Sequence, residues 1–593
     1  MIWSSADRLN DALCRVAGLA LVVALCACGG AGDSRGNGGL DPHADTEPAP
    51  PDLSASAVDA ARFLTQATFG PTDAEVSRVL AVGHSAWIDE QIAKAPDSHR
   101  AAWDATAAEI TDPTNAARAV LDSFYRQAVE GDGQLRQRVA FALSEIFVIS
   151  MAGGSVAANP RGVAGFLDTL ARGAFGNFRE LLQDVSLHPM MGVYLSHLHN
   201  QKENPTTGRA PDENYAREVM QLFSIGLHQL NPDGSVQLSD GKPLETYSAD
   251  DISGLAKVFT GWSWFGTNTS DARFFGRSNA RDPDRQWRPM MGYDQFHSTS
   301  EKRFLGRTIG AQDSPDPVAS LKVALDALHR HPNVGPFIGK QLIQRLVTSN
   351  PSPAYIARVA AAFDDNGAGA RGDMRAVVRA VLLDAEARDR ALAADNRFGK
   401  LREPVLRLTA FLRAFGARSD SGRFLVGFTD DPARQLGQSP LRAPSVFNFF
   451  RPGYVPPNTL AGGLDLSVPE MQITNETTVA GYANYMRSAV QSGVGSIGGD
   501  RTPRRRDVQP DYGDELAVAD QSAVLVHRVT AKLITGPVPS ALKNELVAAV
   551  KSIPIPALRS DGRNQQRIDD AKLNRVRLAV YLTLVSPEFI VQK

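Results

Sequence analysis

The chain has 593 residues, with 63 Lys and Arg against 65 Asp and Glu, and a formal net charge of −2. Hydrophobic residues make up 43% and charged residues 22%, a globular balance that excludes a wholly disordered, collagen-like or multi-spanning membrane chain. The near-zero charge argues against a dedicated nucleic-acid binder, which carries a net basic field.

The N-terminus reads as an address. Arg8 and Arg15 lie in a short polar start, and an apolar run from Val16 to Ala27 follows. A comfortable membrane span needs about 20 residues, so this run fits the apolar region of a secretory signal instead. Leu25-Cys26-Ala27-Cys28-Gly29 resembles a bacterial lipobox, which makes Cys28 the acylated first residue of the mature chain. Cys26 departs from the small or polar residue usual at its position. All three cysteines (Cys14, Cys26 and Cys28) fall in this segment, so a disulfide framework and a Cys-ligated zinc site are excluded from the mature body. Gly29 to Ser54 is dominated by Gly, Pro, Asp and Ser and cannot bury a core, so it reads as a tether. The expected organisation is a signal peptide over 1–27, a disordered tether over 28–57 and a helical domain over 58–593.

From Val58 onward apolar residues recur at spacings of three and four, the mark of amphipathic helices packed on neighbours. Leu135, Val139, Ala142, Leu143 and Ile146 form one such stripe, Phe178, Leu181, Leu182 and Val185 another, and Ile338, Leu342, Ile343 and Leu346 a third. A final helix is expected over about 568–585. Strand signals are sparse: a hairpin over 235–247 around Asp240-Gly241, and one short strand over 303–309. Irregular insertions are expected over 265–293 and 493–513, the latter carrying the basic knot Arg504-Arg505-Arg506. His188-Pro189 and His331-Pro332 begin two similar octapeptides and read as helix entries, since Pro is at home in a first turn. The fold class is therefore mainly α, a multi-helix array with short β-hairpin insertions.

Several catalytic signatures are missing. The sequence has no His-Glu-x-x-His and no phosphate-binding loop. Gly493-Val-Gly-Ser-Ile-Gly498 follows a helical pattern and leads into no helix, so it reads as a flexible loop and not as a dinucleotide site. No spacing demands a metal, and no cofactor is specified: His197 and His199 diverge if helical, as do His329 and His331.

A dense polar stretch remains in the middle of the chain. Residues 212–226 read as one helix, with Asp212 as N-cap and Gly226 as C-cap. Asn214, Arg217 and Glu218 fall three and four apart on adjoining parts of one face. Such a face is either the wall of a site or a buried network between helices. His297, just after an irregular stretch, is the most site-like single histidine.

These residues resemble the large bacterial secreted family called domain of unknown function 1800. The resemblance runs from Arg62-Phe-Leu-Thr-Gln-Ala-Thr-Phe-Gly-Pro71 through Gln134-Leu-Arg-Gln-Arg138, Glu213-Asn-Tyr-Ala-Arg-Glu218, Phe259-Thr-Gly-Trp262 and Phe296-His297. It continues through His331-Pro332, Arg402-Glu-Pro404 and Pro444-Ser-Val-Phe-Asn448 to Ser586-Pro-Glu-Phe589. Asp212 replaces the family's first Asn, and Ser196 and Ser298 stand where many relatives have Asp. The resemblance implies an envelope or extracellular protein, encoded beside phosphatase- or sulfatase-like proteins that are candidate partners. The expected function is that of an envelope-anchored lipoprotein, hydrolase-like or ligand-binding, acting on an extracellular polymer. It would sit in the membrane through its lipid, on the outer membrane or cell surface, since Gly29 replaces the Asp associated with inner-membrane retention. In this reading Glu218, His297 and Glu213 are catalytic, with Asn200, Asn214, Arg217 and Trp262 holding the ligand. The alternative is a non-catalytic scaffold for the phosphatase- or sulfatase-like partner.

Overall fold

Spacings of three and four fold as helices wherever a second apolar face is there to receive them. The structure, a computed structural model, describes residues 55–110, 112–277, 279, 281–497 and 505–593. The signal peptide, Cys28, nearly all of the tether, Gly498, Arg501 and Arg504 lie outside the described residues. Among those described, the N-terminal half carries α1 (Ala55–Ala67), α2 (Pro113–Glu130), α3 (Gln134–Ser144), α4 (Pro160–Gly173), α5 (Phe178–Leu187), α6 (Pro189–Tyr194), α7 (Asn214–Gln221) and α8 (Ala249–Val258). Then come α9 (Pro317–Arg330), α10 (Val334–Leu346), α11 (Pro353–Asp364), α12 (Met374–Leu383) and α13 (Pro404–Ala414). The C-terminal part is α14 (Glu476–Ser492), α15 (Ser522–Leu533), α16 (Ser540–Lys551) and α17 (Gln565–Leu584), with shorter helical turns between. The fold is mainly α, as the periodicity predicts. Helix α1 starts three residues before the expected boundary at Val58.

One apolar cluster runs from Ala60 to Phe589. Helix α3 lies against α4 and α10, α10 against α11, and α11 against α12. Helices α15, α16 and α17 form a C-terminal group joined to the rest through α13. Each fully buried Leu, Phe or Val contributes roughly 1.5–3 kcal/mol. Helix α3 is covered on every side and α10 on all but the Lys340 side, so the polar residues Gln134, Arg136, Gln137, Arg138, Gln341, Gln344 and Arg345 are buried too.

The strands are short antiparallel pairs. Strands β1 (Leu238–Ser239) and β2 (Lys242–Pro243) form the expected hairpin, with Asp240 at φ 50 and Gly241 at φ 76, the left-handed pair a tight hairpin turn needs. Strand β3 (Trp262–Ser263) pairs with β4 (Met291–Gly292) across the irregular insertion. The single strand expected over 303–309 is instead a hairpin, β5 (Lys302–Phe304) and β6 (Arg307–Ile309), turning at Leu305 and Gly306, both at positive φ. Strand β7 (Lys400–Leu401) pairs with the terminal β11 (Val591–Gln592) and closes the chain end onto its middle. The stretch expected as a flexible loop carries β9 (Val494–Ile497) and β10 (Arg506–Gln509), which join β8 (Arg418–Ser419) in a three-stranded sheet. In the basic knot, Arg505 pairs with Asp420 at 2.6 Å and Arg506 donates to the Gly495 carbonyl.

Candidate functional site

Helix α7 is shorter than the sequence suggests. It begins at Asn214, whose amide is accepted by Asp212 Oδ1 at 2.9 Å; the N-cap is Glu213, with no side-chain cap bond. It ends at Gln221, and the chain then turns with Ile225 and Gly226 amides both on the Met220 carbonyl, Gly226 at φ 73. Phe337 lies where a Gly226 Cβ would go, so both backbone angle and space require glycine there.

The residues expected to line one pocket separate into five settings. Glu213 and Arg217 form a half-exposed ion pair at 3.7 Å, worth little in water. Glu218 turns inward, 7% exposed, and its Oε2 has no hydrogen-bond partner. Burial raises its pKa, against the pull of Arg217. Asn200 holds the segment before α7, accepting from the Asp212 amide at 2.9 Å and donating to the Asp212 carbonyl at 3.2 Å. Trp262 is buried in β3 and donates to the Val258 carbonyl. His297 is fully buried. Its Nδ1 donates to the Thr260 carbonyl at 2.8 Å and its Nε2 accepts from the Ser320 hydroxyl at 3.1 Å. Burial pushes its pKa down to about 4. Both nitrogens are engaged, so the geometry weighs against a general base there. Among the described residues no hydrogen bond or ion pair links His297 to Glu218. His197 and His199 are not on a helix; they occupy a turn with Ser196 and His199 at positive φ.

The two departures from the family resemblance have local partners. Ser196 Oγ donates to Asp212 Oδ2 at 3.0 Å. Ser298 Oγ donates to Glu203 Oε1 at 2.9 Å, and Ser300 donates to the same oxygen.

The densest charged group was not foreseen. Arg138 on α3, Glu145 just beyond it, Arg345 on α10, Lys400 on β7, Glu403 ahead of α13 and Glu470 meet in the core, none more than 5% exposed. The Arg345 carbonyl, in the last turn of α10, accepts from Arg138 Nη2 at 2.5 Å and from Lys400 Nζ at 2.9 Å, placing two cations at a helix C-terminus. Lys400 also pairs with Glu470 at 3.1 Å. Arg345 Nη2 donates to the Glu145 carbonyl at 2.9 Å, and its Nε lies 3.6 Å from Glu145 Oε2. Asn448 donates to Glu145 Oε1, and Gln438 donates to Glu403 Oε2 at 2.6 Å. The outer oxygens, Glu145 Oε2 and Glu403 Oε1, have no hydrogen-bond partner. Burial first, and then repulsion from Glu403, push Glu145 well above the ordinary carboxylate range. A proton held by Glu145 answers both. The adjoining cavity, lined by Glu145, Asn448 and the unpartnered Ser439 hydroxyl, has a volume of about 10 Å³, room for one water. This centre holds α3, α10 and α13 together and admits no substrate. Glu403 and Asn448 lay in motifs visible in the sequence; the buried polar spacing Gln341, Gln344, Arg345 was the other available signal.

The larger opening is elsewhere. A cleft of about 440 Å³ lies between α2, residues 423–428 and the β9–β10 hairpin, lined by Arg118, Asp122, Arg423, Phe428, Tyr485 and Arg506 among others. Arg423 bridges Glu109 at 3.3 Å and Asp122 at 3.1 Å. Arg118 lies over the Phe428 ring, 5.5 Å from its centre, and has no ion pair among the described residues. Burial, partly offset by Arg423, raises Asp122 to about 7. The cleft therefore combines cations, an aromatic face and a carboxyl poised between its neutral and charged forms. Asp507 fixes its floor by accepting from Ser419 Oγ and the Ser421 and Leu425 amides.

Among the described residues no three His, Cys, Asp or Glu side chains gather as metal ligands, and no helix is long and apolar enough to cross a membrane. No curated protein and no solved structure matches the chain. A family model described as a protein of unknown function, DUF1800, matches residues 62–591, nearly the whole body that the motifs span, and the chain belongs to that family.

Proposed function

We propose that this chain is a lipid-anchored protein of the cell envelope whose folded body binds an acidic, hydroxyl-rich extracellular polymer in the cleft beside Asp122. The observation that carries the reading is the set of side chains in that cleft. Arg118 and Arg506 supply positive charge, Phe428 an apolar face, and Asp122 a carboxyl that gives or accepts a hydrogen bond near neutrality. Polymer acids would meet the guanidinium groups, and ring faces the aromatic wall. The lipobox supports the anchor, and the long polar segment after Cys28 would carry the body clear of the lipid surface.

Catalysis at Glu218 with His297 is not part of this proposal, because the histidine's acceptor nitrogen already takes the Ser320 hydroxyl. The internal engagement of Asn200, Trp262 and His297 favours a second reading, in which the 196–300 region is a rigid scaffold for a phosphatase- or sulfatase-like partner.

Polygalacturonate binding by the purified body, with dextran as the neutral control, tests the first reading. Expected are binding of the acidic polymer and at least tenfold weakening in an Arg118→Ala, Arg506→Ala variant. Equal binding of dextran, or full binding by the variant, would refute it. Mild crosslinking in membranes followed by mass spectrometry tests the second.

A further inference from the structure

A second cavity, of about 240 Å³, lies between the start of the 99–106 helix, α4, α5 and the 287–289 segment. It is smaller than the ~300–1,000 Å³ of pockets for drug-sized ligands, so it fits a single ring. Among its lining residues are Asp97, Asp168, Arg172, Asp184, His188 and Trp287.

His188 is 3% exposed, and its hydrogen bonding fixes its tautomer. The Met190 amide donates to His188 Nδ1 at 3.2 Å. A backbone amide only donates, so Nδ1 carries no proton, and the neutral ring carries its proton on Nε2. Nε2 is buried and has no hydrogen-bond partner. Burial, with Arg172 nearby, holds the imidazole neutral, its pKa pushed down to about 3. A buried donor without an acceptor is costly, and the ring is fixed on its other faces by Phe166, 5.1 Å away edge to face.

Charge narrows what can supply the acceptor. Asp168 is already used, taking the Ser98 hydroxyl at 2.7 Å, the His99 amide at 2.6 Å and the Arg100 amide at 3.3 Å. Arg100 is neutralised by Asp104 at 2.7 Å and lies 4.2 Å from the Trp287 ring centre. Arg172 acts on Asp184 and Asp97 adds a further carboxylate to the lining, so the cavity offers no excess positive charge to an anion. A cation has no lone pair for Nε2–H. The matching ligand is neutral and oxygen-rich, with acceptors for the imidazole and hydroxyl donors for the carboxylates. Trp287 is held by its own bond to Asp284 at 3.1 Å, and Asp284 by Arg161 at 2.6 Å, so the wall is preformed.

We propose that this cavity binds a neutral sugar residue, which accepts a hydrogen bond from His188 Nε2–H and donates hydroxyls to Asp184. The site stands apart from the Asp122 cleft and does not rest on that reading. The test is saturation-transfer NMR on the full folded body with D-glucose, D-galactose and N-acetyl-D-glucosamine at millimolar concentration. At least one sugar is expected to bind, and at least tenfold more weakly to His188→Asn and to Asp184→Asn. Asn at 188 keeps an oxygen for the Met190 amide and removes the Nε2–H; if that variant fails to fold, Asp184→Asn on the exposed rim decides alone. No binding by any of the three sugars, undiminished binding in the folded variants, or displacement of the sugar by sulfate or acetate at equal concentration overturns the proposal.

Discussion

Replacing Glu145 by Gln gives the sharpest test of the buried charge centre. The folded chain holds Glu145 well above its ordinary value of 4.5, through burial and the Glu403 carboxyl. The sign follows from proton counting: between pH 4.5 and that raised value the folded chain keeps a proton that the unfolded chain has lost. Stability from this group is thus fully present below about pH 4.5 and drains away as pH rises, at up to about 1.4 kcal/mol per pH unit. Gln cannot titrate. Its carbonyl still accepts from Asn448 and its amide can donate toward Glu403 Oε1, so it imitates the protonated acid. The difference between variant and wild type therefore reads out the proton held at the Glu145 position. That difference should favour the variant increasingly with pH, by up to ~1.4 kcal/mol per unit, or roughly 1 °C in Tm for a cooperative unit of this size. Thermal melts by circular dichroism from pH 5 to pH 8 measure it. Parallel Tm–pH curves for the two proteins would show that Glu145 holds no proton in the folded chain.

The Lys400–Glu470 pair is sealed on both sides, so Lys400→Met should destabilise by about 3–5 kcal/mol through the stranded carboxylate. Adding Glu470→Met should restore most of that loss in urea unfolding; equal instability of the single and double variants would sink the account. Gly254→Ala places a methyl 1.7 Å from the Arg303 carbonyl oxygen and should cost about 1–3 kcal/mol or more, with faster hydrogen exchange across β5 and β6; unchanged exchange there contradicts it. Asp122, raised to about 7, contributes stability below about pH 4 that is lost as pH rises through 7. Binding of polygalacturonate should weaken over the same upper range as the carboxylate gains charge, and Asp122→Asn should flatten that dependence in calorimetric titrations.

The helices and the first hairpin were legible because one pattern decided each: apolar stripes at three and four, and Asp-Gly between short extended runs. The β5–β6 hairpin was merged into one strand because its turn is Leu305-Gly306, and Leu at positive φ is no turn signal. The β9–β10 hairpin was missed because Gly493 and Gly495 suggest looseness, whereas both sit at positive φ with atoms of residues 425, 508 and 509 in the space a Cβ would fill.

The site was harder to read for a related reason. Periodicity assigns polar residues to water, and on α7 that assignment holds for Glu213 and Arg217 but fails one position later at Glu218. On α3 it fails altogether and on α10 it holds for Lys340 alone, since the arginines and glutamines of both helices point into a shared interior. Beyond the polar spacing Gln341, Gln344, Arg345, neither helix marks this, because the covering elements arrive from β7, α13 and the 438–470 segment, far along the chain. What the sequence does carry is an arithmetic constraint: a helix whose polar side also faces protein must find opposite charges elsewhere. Arg345 finds Glu145 two hundred residues away, and Lys400 finds Glu470. Removing Lys400 strands Glu470 in the core. The same logic separates His297 from His188. Both are buried and neutral, but His297 has partners on both nitrogens and His188 on only one, so of the two only His188 has a hydrogen bond left to offer a ligand.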